Sequence, residues 1–332
     1  MEILGLLPQL PQEMATALGG EARCFYDFGF VRKALIPLRY AASAVRTVAY
    51  LLWRRPRSVI VSNPPVFPAA IAWLYCRLAS APLILDSHPS AFGFYETKRL
   101  VRLTMPLHRF LIRQARASIV TVDDLTEMVR AEGGRAEIVH EAPPLWEATP
   151  APPLGPRPSL LFVGIFAADE PVELIAAAAK RLPGVGFRMT GDLRKCPPAI
   201  LADKPPNLEL TGFLGPAAYR QAVDASNVII TLTTRPEAVN RAANEAVFAK
   251  RPLIISDWPA MRSYFPHAVP VENSVDAVVA GVERALAEYS ELVAATEDAV
   301  REQQQRWDSQ LGVLRQLVDG DSAPVAGERS HA

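Results

Sequence analysis

The fold is decided by residues 227–258, NVIITLTTRPEAVNRAANEAVFAKRPLIISDW. Residues 228–232 form a β-branched run beside a polar turn, which is typical of a buried strand. Asn240 is placed to cap a helix, and residues 241–250 are rich in good helix formers. Pro252 ends that helix, and residues 253–256 are again strand-like. The stretch therefore predicts a strand, an acidic turn, a short helix and a second strand, as in a parallel α/β sheet.

Two carboxylates mark this unit. Glu237 lies in the turn and Glu245 in the helix, with seven residues between them. The spacing alone carries little information, because a chain of this length contains about one such pair by chance. The setting carries more, because ligands of parallel α/β sheets bind outside the carboxyl ends of the strands, where helix N-termini point amides at an anion. Glu245 can accept hydrogen bonds from vicinal sugar hydroxyls in the same cleft.

The stretch resembles the donor-binding segment of the GT-B nucleotide-sugar glycosyltransferases, especially retaining glycosyltransferase family four. That segment has an E-x7-E motif followed by a small-residue helix end and a Pro-led strand. The resemblance implies an α/β fold with two facing Rossmann-like doubly wound domains, the GT-B architecture. It also implies that Glu237 contacts the donor sugar, that Glu245 contacts the ribose and that the sugar configuration is retained.

A proline-rich stretch divides the chain. Seven prolines fall between Pro143 and Pro158, and a stretch so poor in N–H donors cannot join a sheet. Strand and helix patterns alternate on both sides of it, which predicts two domains with the active site in the cleft between them. The expected ranges are 1–145 for an N-terminal acceptor-binding domain, 146–158 for the linker, 159–299 for a C-terminal nucleotide-sugar donor domain, 300–319 for a helix packing back on the first domain, and 320–332 for a disordered tail.

The composition narrows the function classes. The formal net charge is zero, which argues against a nucleic-acid partner. Three scattered cysteines form no pairing framework, as expected in a reducing cytoplasm. The N-terminus lacks a basic region before its apolar run, and no stretch approaches the roughly 18 apolar residues of a spanning helix. We therefore expect a cytoplasmic protein that can also lie at the inner face of the membrane.

The first half of the chain is mildly basic. Residues 1–150 carry 17 Lys or Arg against 13 Asp or Glu. Residues 31–54 predict one or two helices with an apolar side and a basic side. One interpretation is a surface helix packed on a sheet, and the other is a basic amphipathic face that rests on an anionic membrane surface, where a membrane-bound acceptor would be found. The basic residues are Arg32, Lys33, Arg39, Arg46, Arg54 and Arg55.

The next candidate site follows a strand predicted at residues 82–85. This strand delivers Asp86 and His88 at its carboxyl end, and residues two apart on a strand share a face. The resemblance implies that a His at this place contacts the transferred sugar, so His88 is the first catalytic candidate. Asp86 is the second, as a base with a pKa tuned upward in an inverting variant. The alternative is that both residues are structural.

The second half departs from the family pattern after Gly164. Family-four enzymes usually place an Arg and a Lys there to neutralise the donor diphosphate, whereas this chain has IFAADEPVE at residues 165–173. Diphosphate binding then falls to helix N-terminal amides near Asn240 and to Arg235 or Arg241, which are exposed turn residues in the alternative interpretation. The resemblance also implies that the turn containing Gly212 and Phe213 lies near the nucleotide base.

These observations predict a sugar transferase. An acceptor hydroxyl of a glycan, glycolipid or small molecule would attack the anomeric carbon of a nucleotide-diphosphate sugar, which is the donor substrate. No cofactor or metal is expected, because the sequence has no acidic D-x-D triplet and no His cluster. Two alternatives stay open: a nucleotide-sugar epimerase or hydrolase of the same architecture, and a degenerate, non-catalytic GT-B protein that binds a partner enzyme or glycan.

Overall fold

The structure is a computed structural model that describes residues 2–4, 10–25, 36–92 and 99–319. The chain forms two compact units, one made of Met1–Ala142 with Arg306–Ala332 and the other of Pro143–Gln305. Each unit contains a six-stranded parallel sheet flanked by helices. The predicted α/β class with two Rossmann-like domains is confirmed.

The first unit has the strand order β2-β1-β3-β4-β5-β6. Its central strand β3 is buried along its whole length, as its run of Val and Ile predicts. The strands are β1 (Glu2–Leu4), β2 (Glu21–Arg23), β3 (Val59–Asn63), β4 (Leu83–Ser87), β5 (Ala117–Val120) and β6 (Ala136–Ile138). The helices are α1 (Leu10–Ala17), α2 (Ile36–Arg54), α3 (Val66–Ala79), α4 (Arg99–Gln114) and α5 (Asp123–Ala131), with a 3₁₀ turn at Pro89–Phe92.

The first sheet has an apolar core on each face. Val59, Val61 and Leu85 point to the side covered by α2, α3, α4 and α5. Ile60 and Ile84 point to the other side, because side chains alternate along a strand. That second core is completed by α1 and by the end of the last helix, which contributes Trp307, Leu311, Leu314, Leu317 and Val318.

The second unit has the strand order β12-β11-β10-β7-β8-β9, the arrangement of the dinucleotide-binding Rossmann fold. The strands are β7 (Ser159–Phe162), β8 (Gly186–Thr190), β9 (Leu208–Gly212), β10 (Val228–Thr231), β11 (Leu253–Ser256) and β12 (Val269–Val271). The helices are α6 (Val172–Arg181), α7 (Pro198–Ala202), α8 (Pro216–Asp224), α9 (Arg241–Phe248), α10 (Pro259–Tyr264) and α11 (Val275–Ala287), with a 3₁₀ turn at Leu193–Lys195. The last helix, α12 (Tyr289–Asp319), belongs to this unit up to Gln305 and to the first unit from Arg306.

The chain changes direction between β7 and β10, which are neighbours at the centre of this sheet. Helix α6, after β7, packs in one core together with Leu160 and Phe162. Helix α9, after β10, packs on the opposite face with Leu161 and Ile229. Such a switch point leaves a crevice outside the carboxyl ends of the two strands, where α/β proteins bind ligands.

The proline-rich stretch lies along the second unit. Pro152 O accepts hydrogen bonds from Asn227 Nδ2 (3.0 Å) and from the hydroxyl of Tyr289 (2.6 Å). Thr149 O accepts from Arg251 Nη1 (2.9 Å), and the Arg251 side chain is fully buried. Side-chain donors of the second unit therefore satisfy main-chain carbonyl groups of this stretch, which does not pair in a sheet.

The decisive stretch folds as predicted, with a shorter helix. Helix α9 ends at Phe248 rather than at residue 250. Lys250 has a φ of 58°, and this left-handed backbone turns the chain into β11. No helix in the described part of the chain is both long enough and apolar enough to cross a bilayer. The predictions for residues 31–35, including Arg32 and Lys33, and for the tail 320–332 lie outside the described residues.

Candidate functional site

The loop between β7 and α6 is folded around a carboxylate of the chain itself. Ile165 N donates hydrogen bonds to both oxygens of Glu170 (3.2 and 2.9 Å), and Ala167 N donates to Oε2 (3.1 Å). Phe166 between them has a φ of 57°. Successive amides brought together by a left-handed residue form an anion-binding nest. The nest at the carboxyl end of β7 is therefore filled by Glu170.

Gly164 is required by this arrangement. A Cβ atom at this position would lie 2.6 Å from Glu170 Oε2 and 2.6 Å from the Phe162 ring, which is closer than atoms can approach. Its N–H donates to Thr190 Oγ1 (3.0 Å), and the same hydroxyl donates to Gly164 O (2.9 Å). Burial raises the pKa of Glu170 even though the loop amides oppose the shift. The described contacts give Gly164 a structural role, and donor binding by it stays a prediction.

The loops after β7 and β10 are tied together by Asp169. Its carboxylate accepts a hydrogen bond from Thr233 Oγ1 (3.3 Å) and pairs with Arg235 Nη2 (3.2 Å). Its main-chain oxygen accepts from Thr234 N (2.8 Å). Arg235, expected to meet a diphosphate, is thus at the switch point but has its charge compensated by an acid of the chain.

The loop after β10 is also fixed from the other side. Thr233 O accepts from Trp258 Nε1 (2.8 Å) and Asn273 Nδ2 (2.9 Å), while Thr233 N donates to Ser256 Oγ (2.9 Å). These three partners come from the ends of β11 and β12, at the same edge of the sheet. Sequence reasoning did not single out Trp258 or Asn273, because their partner is a main-chain group that no motif marks.

Glu245 lies in α9 and is buried, and both of its carboxylate oxygens accept hydrogen bonds. Oε1 accepts from Arg241 Nε (2.8 Å), one helical turn earlier, and Oε2 accepts from the hydroxyl of Tyr219 (2.5 Å). Burial and the charge of Glu245 raise the pKa of Tyr219 well above its usual value. A carboxylate has about four lone-pair positions, so Glu245 retains acceptor capacity for a ligand. Tyr219 was missed because it lies on another helix, 26 residues away in sequence.

Asn240 precedes α9, as predicted, but it does not cap the helix with its side chain. Its Nδ2 instead donates to Thr231 Oγ1 (2.5 Å) at the end of β10, so the predicted capping bond is wrong. Glu237 follows Pro236 in the same loop, in a turn in which Ala238 N donates to Arg235 O (3.2 Å), and it is partly buried. The donor-sugar contact expected of Glu237 stays a prediction.

Gly212 ends the outermost strand, β9, at the same edge of the sheet, and Phe213 follows it. Gly212 has a φ of 75°, which favours glycine, and Phe213 is 77% exposed. Two strand spacings, about 10 Å, separate β9 from β7. The exposed ring is available for a flat partner, as the prediction of a nucleotide base requires.

In the first unit, Asp86 and His88 meet at the carboxyl end of β4. Asp86 Oδ2 lies 3.5 Å from His88 Nε2 and accepts a hydrogen bond from Ser62 Oγ (2.9 Å) on β3. The His88 main chain is fixed by a bond from its N–H to Asn63 O (3.0 Å). The strand period brings the two side chains to one face, as expected.

The electrostatics of this pair differ from the prediction. The charge of Asp86 is the main cause that raises the pKa of His88, to about 9, so the imidazole is a cation at neutral pH. Burial acts to raise the pKa of Asp86, but the charge of His88 and hydrogen bonds from His88 and Ser62 outweigh it and lower that pKa. The expected upward tuning of Asp86 is wrong, because its neighbours favour the ionised form.

A second histidine lies beside this pair. His108 is buried, and its Nδ1 receives a hydrogen bond from Asn63 Nδ2 (2.7 Å). Burial, with a smaller effect of Arg109, lowers its pKa to about 4, so the ring is neutral. Its Nε2 is buried without a hydrogen-bond partner among the described residues. The ring lines a pocket of about 80 Å³ whose other walls include Tyr40 and Phe67.

Comparison with known proteins is informative at the level of structure. No family model and no curated protein matches the chain. Among solved structures, HepE of Anabaena with UDP-glucose matches at a TM-score of 0.71 and 12% identity, over 96% of this chain and 98% of that one. Sucrose-phosphate synthase of Thermosynechococcus elongatus matches at 0.67 and 14% identity, over 94% and 99%. A glycosyltransferase of Rickettsia africae matches at 0.65 and 12% identity, over 96% and 99%.

The chain has the GT-B fold. Identities this low establish a shared fold and leave the chemistry to the site. In the GT-B fold as it appears here, each sheet carries a group of polar residues at the carboxyl ends of its strands. One group is Asp86 with His88 and Ser62, and the other surrounds Glu170, Asp169 and Glu245. Across the described ranges no three His, Cys, Asp or Glu side chains cluster in a way that could hold a metal ion.

The Asp86–His88 pair predicts a specific pH dependence. We expect the His88 ring to titrate near pH 9 in the wild type and at a clearly lower pH in Asp86→Asn, because burial is then opposed only by the smaller effect of Glu141. A histidine with a raised pKa stabilises the fold fully below pH 6.5, and this stabilisation is lost as the pH rises through 9. NMR titration of the ring, assigned with His88→Gln, and unfolding measured at pH 6 and pH 10 test this.

The matched control is Glu127→Gln, which removes an exposed carboxylate from α5 of the same unit. It should leave the His88 titration unchanged. A wild-type titration near pH 6.5 would contradict the described ion pair.

Proposed function

We propose that this protein is a glycosyltransferase that moves a sugar from a nucleotide-diphosphate sugar to a hydroxyl acceptor. The observation that carries the proposal is the GT-B fold shared over nearly the whole chain with HepE, which was solved with UDP-glucose. The switch point in the second sheet supports it, because an acidic residue able to accept from hydroxyls, Glu245, lies next to it. We assign the second unit to the donor and the first to the acceptor.

On the donor side, Glu245 would accept from ribose hydroxyls, and Glu237 would contact the sugar. The proposed base platform is Gly212 with the exposed ring of Phe213. Other proposed donor contacts are Gly164, Arg235, Asn240 and Arg241.

The diphosphate would have to compete with Glu170. Anion nests bind phosphate and carboxylate through the same amides. The nest at residues 165–167 already holds a carboxylate, and Arg235 and Arg241 are each paired with an acid. Binding of a donor would then exchange one anion for another, with the amides and one released arginine facing the leaving group.

On the acceptor side, we propose that His88 and Asp86 both contact the substrates, each in a different role. His88 is a cation at neutral pH, so it would donate a hydrogen bond to the transferred sugar instead of removing a proton. Asp86, which stays ionised, would accept from the acceptor hydroxyl and orient it. The hydroxyl oxygen would attack the anomeric carbon while the bond to the nucleoside diphosphate breaks, and the hydroxyl proton would pass to the departing diphosphate. We propose retention of configuration, without a metal ion.

A second candidate function is that of a non-catalytic GT-B protein that binds a partner enzyme or glycan. Occupation of the nest by Glu170 and compensation of both arginines favour this alternative. A nucleotide-sugar epimerase or hydrolase would use the donor site alone and would release an isomer or free sugar without an acceptor.

We propose that the protein is cytoplasmic and that it binds at the inner face of the membrane. The proposed acceptor is a glycan or a lipid-linked molecule. The proposed further partner is an anionic membrane surface, because the first half of the chain is basic.

The donor site predicts a nucleotide-dependent stabilisation. A ligand at 100 times its dissociation constant stabilises by about 2.7 kcal/mol. In a thermal-shift screen with UDP-, GDP-, ADP- and dTDP-sugars, one nucleotide class should raise the melting temperature of the wild type. The shift should be lost in Glu245→Ala and reduced in Glu245→Gln, which retains an oxygen for the Tyr219 hydroxyl.

The control is Glu283→Ala, an exposed acid on α11, which should keep the full shift. If no nucleotide stabilises any variant, the glycosyltransferase proposal fails in favour of the non-catalytic alternative. Release of sugar without acceptor would instead favour the hydrolase.

Competition by Glu170 is tested separately. Glu170→Gln should bind UDP about tenfold more tightly than the wild type, because a neutral amide leaves the nest at a cost roughly 1.4 kcal/mol lower. Glu173→Gln removes the same charge three residues later and should change the affinity little. Equal or weaker binding of UDP by Glu170→Gln, measured by titration calorimetry, would show that the nest does not hold the phosphates.

A further inference from the structure

Helix α2 turns its apolar side outward. Ser43, Thr47 and Leu51 face the core of the first unit. The two hydroxyls are satisfied within the protein, by Phe25 O (2.6 Å) and by Ser43 O (2.8 Å). The exposed large apolar side chains of the helix are Leu38, Val45, Val48, Leu52 and Trp53. Helix α2 therefore packs in the first unit through one narrow side that includes Leu51, and it leaves several large apolar side chains exposed.

Helix α3 continues this surface. Phe67, Leu74 and Leu78 are exposed, and Leu78 reaches 80%. Between α2 and α3 runs an open groove with a volume of about 1010 Å³. Its apolar lining consists of Val48, Leu51, Leu52, Pro56, Ile71, Leu74, Tyr75, Leu78, Ala79 and Ala81. Single exposed apolar residues are ordinary, but several large ones grouped along a groove are typical of an interaction surface.

An arginine pocket adjoins the groove. It has a volume of about 800 Å³ and contains Arg57, Arg77 and Arg116, with Asp319 as its acidic residue. The pocket and the groove share Arg57, Ser80 and Ala81. The apolar groove, which suits hydrocarbon, therefore opens directly into the arginine pocket, which suits an anion.

The segment that contains α2 and α3 carries basic residues and no acidic residue. Between Asp27 and Asp86 the sequence contains no Asp or Glu. Arg54 pairs with Glu21 from β2 (2.9 Å). The cations of this segment are Arg32, Lys33, Arg39, Arg46, Arg54, Arg55, Arg57 and Arg77. The complementary partner is an anion, and one with apolar parts.

We propose that the α2–α3 face, meaning the exposed side chains of α2 and α3 with their groove and arginine pocket, inserts into the surface of a bilayer rich in anionic phospholipid. The acyl chains would contact Leu52, Leu74 and Leu78, and the phosphate groups would meet Arg57 and Arg77. A nucleic acid would leave the groove exposed to water, whereas an anionic phospholipid uses both halves of the face. This inference names the membrane-binding elements for the partner in the proposed function, and it is tested without donor or acceptor.

The experiment is co-sedimentation of the full chain with vesicles of pure phosphatidylcholine and with vesicles in which one third is phosphatidylglycerol. We expect binding to the anionic vesicles that weakens with salt. Leu52→Glu with Leu78→Glu should lower the partition coefficient at least about tenfold, because apolar contact is lost and like charge is added. Arg57→Gln with Arg77→Gln should reduce the preference for anionic over neutral vesicles.

Leu201→Glu is the matched control, since Leu201 is 50% exposed on α7 of the other unit. It should bind vesicles like the wild type, and circular dichroism should show all variants folded. Absence of binding to either vesicle overturns the proposal, as does binding that Leu52→Glu with Leu78→Glu leaves unchanged. A wild-type dimer in light scattering that the same double variant converts to a monomer also overturns it, because a second copy then covers the face. None of these results bears on nucleotide stabilisation.

Discussion

Parallel pairing of β7 with β10 is the constraint on which the candidate donor site depends. The pairing places the ends of both strands side by side, while α6 and α9 leave toward opposite faces of the sheet. The two loops thereby meet over a crevice, and Asp169 joins them through Thr233 and Arg235. Every proposed donor contact except Gly212 and Phe213 lies on one of these two loops or on α9.

The charged residues of the candidate donor site are each paired with another group of the chain. Glu170 occupies amides that suit a phosphate, Asp169 pairs with Arg235, and Glu245 pairs with Arg241. The Glu170 carboxylate orders the loop after Gly164 through its bonds from Ile165 N and Ala167 N. The same contacts that order the loop would have to be exchanged when an anionic ligand binds, which links the stability of the free site to its affinity.

Much of the fold could be predicted from the sequence, because it depends on local patterns. The apolar runs predicted β4, β10 and β11 to within two residues, and strand periodicity predicted that Asp86 and His88 share a face. Features that depend on distant partners were not accessible. Ser62 helps to reverse the expected pKa shift of Asp86, and Tyr219 reaches Glu245 from another helix.

The orientation of α2 could not be predicted for a related reason. Its sequence shows that the helix has an apolar side, but not which side the sheet covers. The core accepted Ser43 and Thr47, whose hydroxyls find main-chain partners, and left Leu52 and Trp53 exposed. Amphipathicity indicates an interface, and only the tertiary structure shows what faces it.

The most direct test of the account is a crystal structure of the protein with UDP-glucose. The account predicts the nucleotide at the carboxyl edge of the second sheet, with its phosphates on the amides of residues 165–167, Glu170 displaced from them, and the ribose within hydrogen-bond distance of Glu245. Nucleotide bound elsewhere on the chain, or a diphosphate bound while Glu170 still fills the nest, would contradict it.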